Sequence, residues 1–143
     1  MASKRMLPHT ITLFNFVDEI DFKPVYEITI LKNVMCNIRQ GIAPSTRDRN
    51  PNDSADLYIF DKNVEATDIN GNPKAFMPLE QWNNCEDKGS YWTISTEGRD
   101  MFAKGIYLDK VDPTEISEAT EINSALHLDA GSPRMWHWEI NGN

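Results

Sequence analysis

A chain of 143 residues, 40% hydrophobic and 25% charged, can bury a core without metals or disulfides, so one soluble globular domain is expected and a disordered chain is excluded. The net charge of −8 is unevenly placed: residues 1–60 carry seven Lys/Arg and seven Asp/Glu, so the excess lies after Phe60 and argues against nucleic acid as a stable ligand. No apolar run approaches the ~20 residues that cross a bilayer, and the first residues lack the apolar core of a signal peptide. No membrane partner is therefore expected, and the chain should stay in the cytosol or in a particle assembled there.

Residues 1–6, with Lys4 and Arg5, read as a flexible or partner-docked arm, and the folded domain is placed at 7–143. Thr10–Phe16 alternates as a strand, with Ile11, Leu13 and Asn15 on one face and Thr12, Phe14 and Phe16 on the other. Asp18–Lys23 is an acidic connection. Pro24 then opens Val25–Leu31, which with Val34–Ile38 forms either successive antiparallel strands or one bent strand. Gly41–Ser54 lacks apolar periodicity and is expected to be a long exposed loop. Arg47 and Arg49 in it suit a phosphate or an acidic partner; a solvated loop with a balanced Arg47-Asp48-Arg49 triplet beside Asn50 explains them equally well.

Asp56–Phe60 is a short strand, and a second long loop is expected over about 61–75, where Asn70-Gly71 supplies a φ > 0 turn. Asp68, Asn70 and Asn72 resemble the start of a calcium loop, but Pro73 stands where glycine is required and no bidentate acid follows. Met77–Cys85 predicts a short helix with Pro78 in its first turn and Leu79 and Trp82 facing the sheet. Ser90–Leu108 predicts a hairpin around Glu97-Gly98-Arg99-Asp100, with a bulge at Gly105. Asp112-Pro113-Thr114-Glu115 predicts a capped helix whose apolar side is Ile116, Ala119 and Ile122. Ser124–Asp129 and Met135–Ile140 predict the last strands, the latter with Trp136, Trp138 and Ile140 inward. The expected fold class is mainly β, a small twisted barrel or sandwich with one or two short peripheral helices.

Chemistry-bearing motifs are sparse. Cys36 and Cys85 lack paired metal spacing and read as free thiols. His9, His127 and His137 lie far apart, with no ligand at a metal spacing, so no metal or cofactor is expected. His127 and His137 are candidate cross-strand neighbours in a polar row. No nucleophile elbow, phosphate loop, dinucleotide fingerprint or His-Glu-x-x-His pair occurs, and no enzyme is expected. The enzymatic or ligand-binding alternative is a small barrel with a site near His127, His137 and Glu139.

Several patterns together carry a likeness. Leu7–Asn15, Met77–Trp82, Tyr91-Trp92-Thr93, Gly98–Gly105 and Gly131–Gly142 resemble small structural proteins of tailed phages, in size and motif order the head-completion, or stopper, proteins of the neck. The resemblance implies a β-barrel or sandwich that assembles with itself as a ring in the virion neck, built in the host cytoplasm. That ring joins the portal or adaptor protein to a tail terminator or tail-tube protein, and genomic DNA passes through it without sequence recognition. It also implies a loop projecting toward the channel. The segment bearing Arg47, Asp48, Arg49 and Asn50 matches by position and length, with the loop bearing Asn70, Gly71 and Asn72 as the alternative. A neutral or acidic wall suits that role, since a basic one would hold a polyanion through counterion release. The alternative place in the same particle is that of a tail-terminator or minor capsid protein.

Overall fold

The computed structural model describes residues 6–39, 54–97, 99–108, 112–116 and 119–143. Two strands dominate it: β1, His9–Ile20, and β2, Lys23–Arg39, form a long hairpin. Its two-residue turn, Asp21-Phe22, has both φ angles positive, at 53° and 64°, as a turn that follows the strands' right-handed twist demands. One extra residue sits on each strand: Val17, between Phe16 and Asp18, and Asn33, between the partners of His9 and Thr10. Asn33, at φ 61°, makes β2 a single bent strand, because a bulge bends the strand that carries it.

The bend lets β2 serve several partners. Its last part, Met35–Arg39, pairs with β3, Ser54–Phe60, while Ile30–Lys32 pairs with the short β4, Glu65–Thr67. Beyond β3 come β9, His137–Gly142, then β8, Thr120–Leu128, then β7, Met101–Lys104, which pairs back onto β1. The pairings β1-β7-β8-β9-β3-β2 thus return to β1, all antiparallel. The fold is mainly β, as expected, and of the two expected forms the closed ring of pairings is that of a barrel, which leaves few free edges.

Strand alternation accounts for two apolar layers. Ile11 and Leu13 point inward with Leu31, Val34, Leu57, Ile59, Phe102, Ile122 and Ile140 to form the main core. On the outer face of the same strand, Phe14 packs with Met101, Ala103, Ile116 and Ala119. β1 is therefore buried on both sides, in line with the apolar weight on both of its faces.

Two expected elements are corrected. Tyr91–Trp92, β6, does not form a hairpin with β7; it pairs in parallel with β5, Ala75–Phe76, and the crossover contains the helix α1, Leu79–Asn83. Both edges of β7 are taken by β1 and β8, which leaves no edge for β6. Gly105, at φ 106°, ends β7 rather than bulging within it: its N–H donates to the Thr10 carbonyl and its carbonyl accepts from Thr12 Oγ1. The helix expected after Asp112 is one 3-10 turn, Pro113–Glu115. Asp112 caps it as expected, accepting from the Thr114 N–H, but by Thr120 the chain has entered β8. The Thr120 and Glu121 positions there pair with Phe102 and Met101, so sheet closure outweighs a capping signal worth about 1 kcal/mol. The loop expected over 61–75 also contains a strand, β4.

Candidate functional site

A cavity of about 370 Å³ opens beside β4 and β9. Four rings run along it: Trp92 lies 5.0 Å from Phe76, Phe76 5.8 Å from Trp138, and Trp138 4.8 Å from His127, centroid to centroid. Register explains the row. Phe76 pairs with Trp92 across the parallel β5–β6 contact, and Trp138 lies opposite both Ile59 and His127. Val64 and Ala66 complete the apolar wall.

Two polar groups join the lining. His127 Nε2 lies 2.8 Å from Asp61 Oδ2. Lys74 is buried, and its Nζ donates to Thr29 Oγ1 at 2.6 Å and to the Ile28 carbonyl at 3.3 Å. Burial lowers its ammonium pKa, against the opposing pull of Glu27 and Asp68. The lining holds no Ser, Thr or Cys among the described residues, so the His127–Asp61 pair faces no hydroxyl or thiol that it would activate. The lining thus combines a row of aromatic rings with the Lys74 ammonium and the His127–Asp61 pair.

The expected grouping of His127, His137 and Glu139 does not form. Leu128 lies opposite His137 and His127 opposite Trp138, so the two histidines point to opposite faces of the sheet. His137 stacks on Phe60, 4.7 Å between centroids, and its Nε2 meets Glu139 Oε2 at 2.9 Å, away from the cavity. Cys36 is buried in β2, where burial raises its thiol pKa to about 11, and Cys85 lies half-buried beyond α1.

Asn70, Gly71 and Asn72 form a closed turn rather than a long arm. The Asp68 carboxylate accepts from the N–H groups of Asn70 and Asn72 and from Asn72 Nδ2, and Thr67 bridges to Pro73. Those donors, Asn72 N–H first, hold the Asp68 carboxyl below its ordinary range. Lys4, Arg5, Arg47, Asp48, Arg49 and Asn50 lie outside the described residues.

The other exceptional surface is the β1–β2 tip. Phe22 is 95% exposed, and Ile20 and Val25 beside it are exposed as well. On β8, Leu126 and Leu128 also face outward while His127 points into the cavity. Neither the Phe22 tip nor the Lys74 wall was legible in the sequence. The available signal at the tip was Ile20 and Phe22, two apolar residues set within the acidic Asp18–Lys23 connection between the runs ending at Val17 and starting at Val25.

A family model described as a family of unknown function, DUF6751, matches residues 6–143. The chain belongs to this family. The match takes in the nine strands found among the described residues, so the barrel, the cavity and the hairpin tip all lie within the DUF6751 region. No curated protein and no solved structure matches the chain.

Proposed function

We propose that this chain is a structural, non-enzymatic subunit of a phage neck, a ring that joins the portal or adaptor to the tail and through which DNA passes. The observation that carries the reading is that a closed barrel bears two unlike apolar surfaces, the exposed Phe22 tip and the cavity walled by Phe76, Trp92 and Trp138. Subunits of a ring meet head to tail and need two different complementary patches. The series of motifs from Leu7 to Gly142 supports the phage setting, and the net charge of −8 suits a passage for a polyanion.

Mass spectrometry of purified virions tests the proposal. Several copies of this chain per particle are expected, and intact tailed particles without it would remove the idea. Electron microscopy of particles assembled without it separates the neck role, which leaves full heads lacking tails, from a tail-terminator role, which leaves overlong unjoined tails.

A second reading, a ligand-binding barrel, is favoured by the aromatic cavity alone. Binding of a small aromatic ligand that is lost in Trp138→Ala and His127→Ala would favour it over the neck role.

A further inference from the structure

We infer that Phe22 of one copy of this chain inserts into the aromatic cavity of a second copy, making a head-to-tail contact between identical subunits. This deepens the ring reading and rests on it only for the closing of successive contacts into a ring.

The tip is built at a local cost. The hairpin's turn demands a positive φ at this position, but glycine or asparagine adopts φ 64° with less strain than phenylalanine, and the 95% exposed side chain gains little packing in its own molecule. A bulky apolar group in strained, fully hydrated surroundings points to a contact made elsewhere. It does not fill the cavity of its own chain, because it is exposed. The receiving surface is present in the same sequence: about 370 Å³ walled by Phe76, Trp92, Trp138, Val64 and Ala66. An apolar cavity of about 150 Å³ already accepts a benzene ring, so a phenyl group fits with room for an aliphatic neighbour such as Ile20.

Both surfaces carry charges of both signs. The tip carries Asp18, Asp21 and Lys23, with Glu19 paired to Arg99 at 3.0 Å, and the cavity wall carries Asp61, held by His127, together with Lys74, two of whose three N–H donors are used among the described residues, on Thr29 and Ile28. The remaining donor suits a tip carboxylate. Because tip and cavity are different surfaces, the contact is heterologous, and each bound copy leaves one tip and one cavity open for the next.

Sedimentation of the purified chain and of two variants tests this. Phe22→Asp spoils the tip and keeps the cavity; Ala66→Phe fills the cavity and keeps the tip, with Val64→Phe in its place if Ala66→Phe does not fold. The wild-type chain is expected to self-associate with rising concentration, each variant alone to be weakened roughly 30-fold or more, and their equimolar mixture to stop at a 1:1 dimer. Phe22→Asn is expected to lose association while its melting temperature rises, a divergence that a merely structural role for Phe22 would not produce. Wild-type assembly that persists in Phe22→Asp overturns the inference and leaves the ring reading standing. A wild-type chain and a mixture that both stay monomeric up to ~1 mM, a concentration at which even a contact of about 4 kcal/mol is half formed, also overturn it, and virion content then judges the neck role separately.

Discussion

Asn15 Nδ2 donates to Asp100 Oδ2 at 2.8 Å, joining β1 to the segment before β7 across 85 positions of sequence. Asn15 is held in one orientation, because its Nδ2 also donates to the Thr93 carbonyl at 2.8 Å and its Oδ1 accepts from the Thr93 N–H. Asp100 Oδ1 accepts from the Phe16 N–H, and the Ser95 N–H donates to the same carboxylate. The two side chains thus replace a strand ladder that 93–95 lacks. In Asp100→Asn an amide N–H₂ faces either the Phe16 N–H or Asn15 Nδ2, and Asn15 is unable to turn away. Urea unfolding is expected to show a loss of about 2–3 kcal/mol even though a buried charge has been removed; unchanged stability would refute the locked orientation.

Burial raises the Asp100 carboxyl to about 6 from its ordinary 3.8, against the pull of the Phe16, Asn15 and Ser95 donors. The folded state therefore holds this proton more tightly than the unfolded chain. Its contribution to stability is complete below about pH 3.8, declines as pH rises toward 6 and is gone above that, a span of roughly 3 kcal/mol at 1.36 kcal/mol per pKa unit. Carboxyl-detected NMR is expected to give Asp100 a midpoint well above those of exposed aspartates.

The histidines should titrate apart. Burial, with Lys104 nearby, lowers His9, whose Nδ1 accepts from the Cys36 N–H at 2.9 Å and so must stay unprotonated. His9 therefore supports the fold above pH 6.5, and that support is lost as pH falls through its lowered value. Burial alone would lower His137, but the Met135 carbonyl and Glu139 outweigh it and raise the net value. Its stabilisation is complete below pH 6.5 and lost as pH rises through the raised value. Imidazole NMR showing His137 titrating below His9 would contradict both assignments.

Thr93 Oγ1 is buried without a hydrogen-bond partner among the described residues. Thr93→Val keeps the shape and the backbone bonds to Asn15 while removing a dehydrated hydroxyl. Thermal unfolding is expected to show a variant as stable as the parent or up to about 1 kcal/mol more stable.

Gly142 is a glycine for want of space. A Cβ there would meet Thr120 Cγ2 and would lie 2.5 Å from the Glu121 carbonyl oxygen. Gly142→Ala must displace backbone where β9 meets β8, and a loss of about 1–3 kcal/mol is expected. Gly89→Ala is the control: its Cβ would have nothing nearer than Glu27 Oε2 at 3.9 Å, and its melting curve should overlay the parent's.

Much of the barrel was readable from alternation. The Ile11/Leu13/Asn15 face and Asp56–Phe60 follow from period-two apolar patterning, because each of these strands has its own buried face, whereas Val25–Ile38 fitted one bent strand or two equally well, and the Leu126/Leu128 alternation marked a strand whose leucines face outward. Pairing did not follow from the same signal. Ser90–Leu108 has the composition of a hairpin, yet its strands separate because β1 and β8 occupy the edges of β7 and Asn15 engages Thr93.

The sequence by itself determined the material: a β-rich chain with free cysteines, an acidic second part and a capped turn at Asp112, all properties of neighbouring residues or of totals. Only the tertiary structure decided that Trp92, Phe76, Trp138 and His127 share one cavity, that His137 lies on the far face from His127, and that Phe22 stands alone in water. Those outcomes depend on register and closure, in which a shift of one residue turns every side chain of a strand to the other face. No local pattern encodes which distant strand will supply the partner.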